Sequence, residues 1–309
     1  MNLAYIQITR LCNQKCRICS NPERQAELDY PTVCRQIEDI IAEGCPGVFL
    51  TGGEPTLHPD LPGLIRHCRD RGLHVRIITN GQLLADKAYL AGLVDAGLEH
   101  LHVSILSHRP DTQAFLSGNP PSLDNISRAL SHLAETDLVV DINTAINHYN
   151  ADHLHEVVRW VVDRFPMARH FVWDHLDPSM NRASQNPDVI PKLWESELSL
   201  RKAMDFLAES GRTFRVERLP LCYMADYAHC STEARKIVQG EGRLIYFLDD
   251  KGVHRQAEWR YGKAPCCSSC GLEAICPGLW EMDRYYSSEE LHPVFVSAEP
   301  IIQKILEED

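Results

Sequence analysis

Near its start the chain reads C-N-Q-K-C-R-I-C, which sets three thiols, Cys12, Cys16 and Cys19, within one short loop. Gaps of three and then two residues let such a loop wrap one face of a metal cluster with its sulfurs turned inward. Three thiolates are one too few for a closed site. A structural zinc takes four nitrogen or sulfur ligands and a ferredoxin-type cluster takes four thiolates, so either a fourth ligand lies elsewhere or one metal position stays open. Coincidence is a weak explanation: with 12 cysteines in 309 residues, three at fixed positions arise about once in 17,000 starts. Buried structural thiols would have no reason to crowd directly after a strand.

A second group lies far along the chain, where Cys267-x2-Cys270-x5-Cys276 follows Cys222 of L-P-L-C-Y-M. These four thiols could close a metal site of their own. Zinc and iron-sulfur both suit such a set, because ligand spacing alone does not distinguish metals. Cys230 and Cys266 are alternatives to Cys222 as the fourth ligand, and with none of the three bound this site too would keep an open position. Cys34, Cys45 and Cys68 fall in or beside predicted helices and read as small core hydrophobes. The 15 histidines form no metal spacing with a second histidine and a carboxylate. His153 and His155 are two apart, which on a helix separates them, and His58 in L-H-P-D reads as a loop residue.

The thiols of the first group need elements to hold them. Six short apolar runs read as strands: Ala4 to Ile8, Gly47 to Leu50, His74 to Thr79, His100 to Ile105, Val139 to Ala145 and His170 to Trp173. Between them Val33, Ile37, Ile40 and Ile41, and later Leu90, Leu93 and Val94, recur at helical spacing; Gly44, Gly72 and Gly97 stand where helices should stop. This alternation predicts strand-helix units around a parallel sheet, in which function collects at the C-terminal ends of the strands. Polar residues fall there: Thr51-Gly52-Gly53-Glu54-Pro55, Thr79-Asn80-Gly81, Ser104, Asn143 with Asn147, and Trp173-Asp174-His175. Glycines without Cβ let the backbone approach a ligand closely, and a carboxylate at Glu54 suits an ammonium group. A long helix, LWESELSLRKAMDFLAESG, closes this part near Gly211. Beyond it, TFRVERL reads as a strand and RLIYFLDDKGVHRQ as a hairpin turning at Asp249-Asp250-Lys251-Gly252. The final IIQKILEED reads as a short helix forming a solvated tail.

C-x3-C-x2-C just after the first strand, with Gly52-Gly53-Glu54-Pro55 ending the second, resembles the radical S-adenosylmethionine (SAM) enzymes. The resemblance implies a partial (β/α)6 TIM-like barrel over residues 1–210. It places a [4Fe-4S] cluster on Cys12, Cys16 and Cys19, with the amino and carboxylate groups of SAM on the fourth iron. Gly52, Gly53, Glu54, Pro55 and Asn80 would surround SAM, with Ser104 and Asn143 toward its ribose. The residue before the last cysteine is often aromatic in the family and is Ile18 here, which loses a stacking contact but no ligand. The Cys222, Cys267, Cys270 and Cys276 group resembles the SPASM domain, or its shortened twitch form, and implies a small α+β auxiliary-cluster domain over residues 211–309 with a C-terminal helix. The longer pattern would want a cysteine where Trp280 stands, so one auxiliary [4Fe-4S] cluster is expected rather than two.

The resemblance further implies reductive cleavage of SAM to methionine and a 5′-deoxyadenosyl radical, which takes a hydrogen atom from substrate, with electrons from a donor such as flavodoxin or ferredoxin. Oxidative modification of a peptide or protein, such as a cross-link, leads the expectations for the substrate. A small-molecule oxidoreductase or cofactor-biosynthesis enzyme comes next, and an iron-sulfur electron carrier or zinc-stabilised binding protein is the rival outside enzymology. Cys12 comes so early that neither a leader-binding nor a cobalamin-binding domain is expected before it. A net charge of -12 argues against nucleic acid but not against a cationic peptide. No apolar run approaches eighteen residues and no basic n-region precedes one, so neither membrane span nor secretion signal is expected. Twelve cysteines without an export signal are then no disulfide framework, and a cytoplasmic location is expected.

Overall fold

Alternation along the strands decides which side of the sheet becomes the core. In a strand successive side chains point to opposite faces, and here one face is almost purely aliphatic. Ala4, Ile6, Ile8, Val48, Leu50, Val75, Ile77, Leu101, Val103, Val140 and Ile142 are buried and pack with the helices in a single cluster. The computed structural model describes residues 3–21, 25–179, 181–248 and 251–308. Its strands are β1 (Ala4–Thr9), β2 (Gly47–Gly52), β3 (His74–Thr79), β4 (His100–Ser104), β5 (Val139–Ile146), β6 (His170–His175), β7 (Thr213–Glu217), β8 (Arg243–Tyr246) and β9 (Val253–Gln256). The helices are α1 (Tyr30–Ala42), α2 (Leu61–Asp70), α3 (Lys87–Asp95), α4 (Pro110–Ser117), α5 (Ser122–Leu133), α6 (Leu154–Arg164), α7 (Asn181–Gln185), α8 (Leu193–Glu209), α9 (Thr232–Gln239) and α10 (Glu299–Glu307).

The sheet has nine strands in the order β7-β6-β5-β4-β3-β2-β1-β8-β9. Every pairing is parallel except the β8–β9 hairpin. The sheet is not closed by pairing of its edge strands, so the expected partial barrel is present, extended by β7 on one side and by β8 and β9 on the other. The helices cover the aliphatic face through stripes at three- and four-residue spacing, such as Val33, Ile37 and Ile40 of α1 and Leu154, Val157, Val158 and Val161 of α6. Asp29 accepts from Thr32 N at 2.9 Å and caps α1. Gly44, Gly72 and Gly97 all have positive φ, as helix-ending glycines do.

The opposite face lines a lumen and is largely polar, unlike the branched aliphatic packing of a closed TIM barrel. Tyr5 stacks on Phe49 at 4.7 Å between centroids, the Arg76 guanidinium lies over Phe49, and Phe49 meets His102 edge-on. These polar and aromatic side chains are themselves largely buried, Phe49 and His102 at under a tenth exposed.

At the C-terminal ends of β1 and β2 two backbone segments approach each other closely. Thr9 pairs with Gly52 across a break in register, Gly53 N donates to Thr9 O at 2.6 Å, and Glu54 N donates to Leu11 O at 2.7 Å. A Cβ on Gly52 would fall less than 3.0 Å from Thr9 O, and one on Gly53 less than 3.0 Å from Leu11 O. Both glycines therefore serve the contact between the G-G-E-P segment and the start of the cysteine loop. The expectation that they let backbone approach a ligand is corrected to this extent: the closest partner is the chain's own backbone.

The ending of the chain also departs from expectation. Far from being a solvated tail, α10 packs on α9 and on the 3-10 segment Ala225–Cys230; Ile305 is fully buried and Glu308 pairs with Arg235 at 2.9 Å. The hairpin forms as read, with Phe247 N donating to Gly252 O, while Asp249 and Asp250 of its turn lie outside the described residues.

Three substitutions test this packing. Gly53→Ala should cost roughly 1–3 kcal/mol or more in urea unfolding by overpacking the junction. Gly92→Ala, on the exposed side of α3 with open space at its Cβ, should instead be neutral or stabilising by up to about 1 kcal/mol. Ile305→Ala should cost about 2–4 kcal/mol in the same measurement, whereas a solvated tail would lose nothing.

Candidate active site

Past the glycine junction the cysteine loop is tied down on three more sides. Lys15 N and Arg17 N donate to Ser117 O and Leu116 O at the end of α4, and Gln14 Nε2 donates to Ser122 Oγ at 3.1 Å. Arg182 Nε donates to Cys16 O and Ala183 N to Cys19 O, from α7. Leu28 N, returning along β1, donates to Ile8 O at 2.9 Å. The loop is thus a fixed structure and not a tether.

Its three thiols open onto a cavity of about 280 Å³ whose walls are the C-terminal ends of β2 to β6. Cys12, Cys16 and Cys19 form one side; Gly52, Gly53, Glu54, Asn80, Ser104 and Asn143 form the others. Residues more than 130 positions apart in the sequence are brought together here. Ser104 and Asn143 are register partners on β4 and β5. Asn80 Nδ2 lies 3.8 Å from Cys12 Sγ and donates to Asn13 Oδ1 at 2.7 Å. Ile18 lines the cavity beside Leu106. Pro55 opens a 3-10 turn, Pro55–Leu57, away from the cavity lining.

Glu54 is 1% exposed, and burial pushes its carboxyl pKa up against the pull of four hydrogen bonds. Thr56 N, Thr56 Oγ1 and Thr79 Oγ1 donate to Oε1, and Asn80 N donates to Oε2. The carboxylate thereby joins the ends of β2 and β3, and only Oε2 keeps acceptor capacity for a ligand. Asp174, at the end of β6, also faces the cavity; burial, then the neighbouring Glu217 charge, raises it to about 6. Sequence reasoning noted Asp174 only as a polar strand end, and it missed the linings Gln14, Asn21 and Gln113, whose positions depend on loops. Asn147 is turned elsewhere: its Nδ2 donates to Ala145 O and its Oδ1 accepts from Tyr149 N. His58 is a buried loop residue whose Nε2 meets Leu28 O at 2.8 Å.

The donor set fits a metal cluster. Burial, joined by the neighbouring Cys19 and Cys12, pushes the Cys16 thiol up to about 12; Cys12 is raised by burial as well. Crowded thiols that oppose one another's ionisation are stable as thiolates only around cationic metal.

A second cavity of about 540 Å³ adjoins the first and shares Ser20, Asn21, Thr51 and Gly52 with it. Its walls come from the later strands and the C-terminal segment. Glu217 of β7 and Arg243 of β8 pair at 2.8 Å across the unpaired side of the barrel, and Arg243 lies over Tyr5 and Trp259. Trp280 donates to Asp177 Oδ1 at 3.2 Å and packs edge-on against Tyr261. The position where a further cysteine was wanted is thus a wall of this cavity.

Cys222, Cys267, Cys270 and Cys276 surround one small space of about 20 Å³. Burial raises Cys222 to about 12, with Cys276 and Cys267 adding to it. Val294 N donates to Cys270 Sγ at 3.3 Å and Gly278 N to Cys276 Sγ at 3.4 Å, the kind of contact that steadies a thiolate. Cys266 turns its Sγ to Leu291 O, and Cys230 lies beside Arg215 and Glu308; neither lines this space. Against the expectation that no two histidines stand with a carboxylate, His100, His102 and Asp141 form a buried group whose ligand atoms lie within 4.8 Å of one another; the residues lie on strands, where helical spacing does not apply.

No helix among the described residues is long and apolar enough to cross a membrane. A family model described as the Radical SAM superfamily matches residues 6–161. The PqqA peptide cyclase of Ruegeria pomeroyi is 27% identical over 229 residues, covering 72% of this chain and 59% of that protein. The protein of the same name from Rhodopseudomonas palustris is 32% identical over 198 residues, 60% of this chain and 50% of the other. The chain thus spans little more than half the length of these curated relatives. Among solved structures, Streptococcus suis SuiB bound to S-adenosylmethionine superposes with a TM-score of 0.67 at 16% identity over 90% of this chain and 72% of that one. Native anSMEcpe with bound AdoMet and Cp18Cys peptide gives 0.67 at 14% identity over the whole of both chains. At such identities these two speak for the fold. The family match covers half the chain and holds both the cysteine loop and the G-G-E-P segment, and the chain belongs to the radical SAM superfamily, whose enzymes bind SAM and a [4Fe-4S] cluster.

Proposed function

We propose that this protein is a radical SAM enzyme that oxidatively modifies a peptide, forming a cross-link or a related maturation product. The observation that carries the reading is the adjacency of two cavities: one walled by the cysteine loop and the ends of β2 to β6, the other large enough for amino-acid side chains and bordering it at Ser20, Asn21, Thr51 and Gly52. The names of the relatives, which are peptide cyclases, support the substrate class. In this reading Cys12, Cys16 and Cys19 hold the cluster, and the bound cluster supplies the electron that divides SAM into methionine and a 5′-deoxyadenosyl radical. Gly52, Gly53, Glu54 and Asn80 orient SAM, and Ser104 and Asn143 hold its ribose by hydrogen bonds. Pro55 acts by fixing the turn after Glu54. The walls shared by the cavities keep water from the reacting atoms, and the substrate sits among Trp259, Tyr261 and Trp280.

Residues 1–210 form the SAM-binding part and residues 211–309 the auxiliary part, in which Cys222, Cys267, Cys270 and Cys276 hold one [4Fe-4S] cluster. The reductant is a flavodoxin or ferredoxin, and the need for reduced thiols favours a cytoplasmic location. The rival occupant of the auxiliary site is zinc, which four thiolates also hold.

Anaerobic incubation of reconstituted protein with SAM and dithionite tests the proposal. The expected product is 5′-deoxyadenosine, abolished in Cys12→Ala and retained in Cys270→Ala. Metal analysis decides the second site: Cys270→Ala should lose about four irons per chain if the cluster reading holds, and zinc with no iron if it does not. No 5′-deoxyadenosine from protein with an intact cluster would overturn the enzyme reading.

A further inference from the structure

At the other end of the barrel the lumen carries a group of residues that no step above uses. On β4 the lumen face reads His100, His102, Ser104, and on β5 it reads Asp141, Asn143, Ala145, with His102 opposite Asp141 and Ser104 opposite Asn143. Ser104 and Asn143 belong to the upper cavity. The histidines and Asp141 sit two residues or more below them, about 7 Å nearer the floor. All three are at least nine-tenths buried. Asp141 Oδ2 lies 2.7 Å from His100 Nε2 and 3.3 Å from His102 Nε2, and the two imidazoles are stacked at 5.2 Å. The three ligand atoms lie within 4.8 Å of one another. Donors around a tetrahedral ion with bonds of 2.0–2.1 Å stand about 3.3 Å apart, so the arrangement needs little adjustment to receive one.

Hydrogen bonding alone leaves this group in conflict. A neutral imidazole at His102 has one N–H and one lone pair. Its Nδ1 faces Asn143 Oδ1 at 3.5 Å and its Nε2 faces Asp141 Oδ2, two acceptors on opposite sides. Either tautomer therefore sets a lone pair against an oxygen. Nε2 is the atom that makes no hydrogen bond among the described residues. A cation between Nε2 and Oδ2 removes the conflict; turning the Asn143 amide end for end would remove it without an ion.

We propose that His100 Nε2, His102 Nε2 and Asp141 Oδ2 bind a divalent transition-metal ion on the barrel floor, with water completing its shell. Two imidazoles and one carboxylate are a donor set for zinc and its first-row neighbours. The site lies at the opposite ends of the strands from the cysteine loop, so the ion clamps β4 to β5 and takes no part in SAM chemistry. Arg76, on the same lumen face, interacts with Asp141 and opposes any cation there. It sets the affinity lower than the ligands alone would give. The proposal rests on these distances and does not depend on the reading of the cysteine sites.

Zinc chloride added to the cluster-reconstituted protein, cleared of loosely held metal over a chelating resin, is the probe, read by metal content and zinc-edge X-ray absorption. The expected result is one zinc per chain with nitrogen and oxygen neighbours only, weakened at least about 100-fold in His102→Gln by loss of a ligand. Arg76→Gln should bind the same zinc at least about threefold more tightly by removing a like charge. This gain cannot come from a misfolded variant, so it stands even if His102→Gln is unstable. Zinc found only with sulfur neighbours, a nitrogen-oxygen site unchanged in His102→Gln, or no gain in Arg76→Gln would each overturn the proposal.

Discussion

Two backbone hydrogen bonds, Gly53 N to Thr9 O and Glu54 N to Leu11 O, bind the end of β2 to the first residues of the cysteine loop, and the geometry above the sheet depends on them. They form only because neither Gly52 nor Gly53 carries a Cβ. The loop is thereby set over the lumen instead of out in solvent. From this junction Glu54 continues to Thr79 and Asn80 at the end of β3, so one carboxylate fixes the spacing of two strand ends while its neighbours fix the thiols. A buried carboxylate with four donors is stable only as a complete network; any one donor lost leaves charge in a place that water does not reach.

The division of the sheet into an aliphatic outer face and a polar lumen gives stability and function separate surfaces. Helices α1 to α6 bury the outer face, and changes in the lumen leave that packing alone. The unclosed ring matters for the same reason. Because β7 and β8 do not pair, their facing side chains, Glu217 and Arg243, meet as a part-buried ion pair and leave room for the larger cavity above. The later strands therefore complete the sheet and wall the site at once.

Much of this was legible in the sequence because it rests on local rules. The six strands of the barrel and their helix stops follow from periodicity and from glycine, and Cys12, Cys16 and Cys19 declare themselves by spacing. What stayed hidden rests on contacts between distant segments. Gln14, Gln113 and Ser122 form one network that no local pattern marks. Ile305 looks like part of an acidic tail until α9 is placed beside it. The histidines were hidden differently: H-L-H is visible, but its meaning appears only when β4 is read at period two and Asp141 is set opposite by register. The glycines of G-G-E-P were read correctly as a close approach, yet the partner could not be known before the loop was folded over them.

The most direct measurement is pulsed electron paramagnetic resonance on the reduced protein with SAM carrying 15N in its amino group and 17O in its carboxylate. Hyperfine coupling of the cluster spin to both labels is the predicted result, since three thiols held by the glycine junction leave one iron for the substrate. A reduced cluster on Cys12, Cys16 and Cys19 whose spectrum is unmoved by labelled SAM would contradict it.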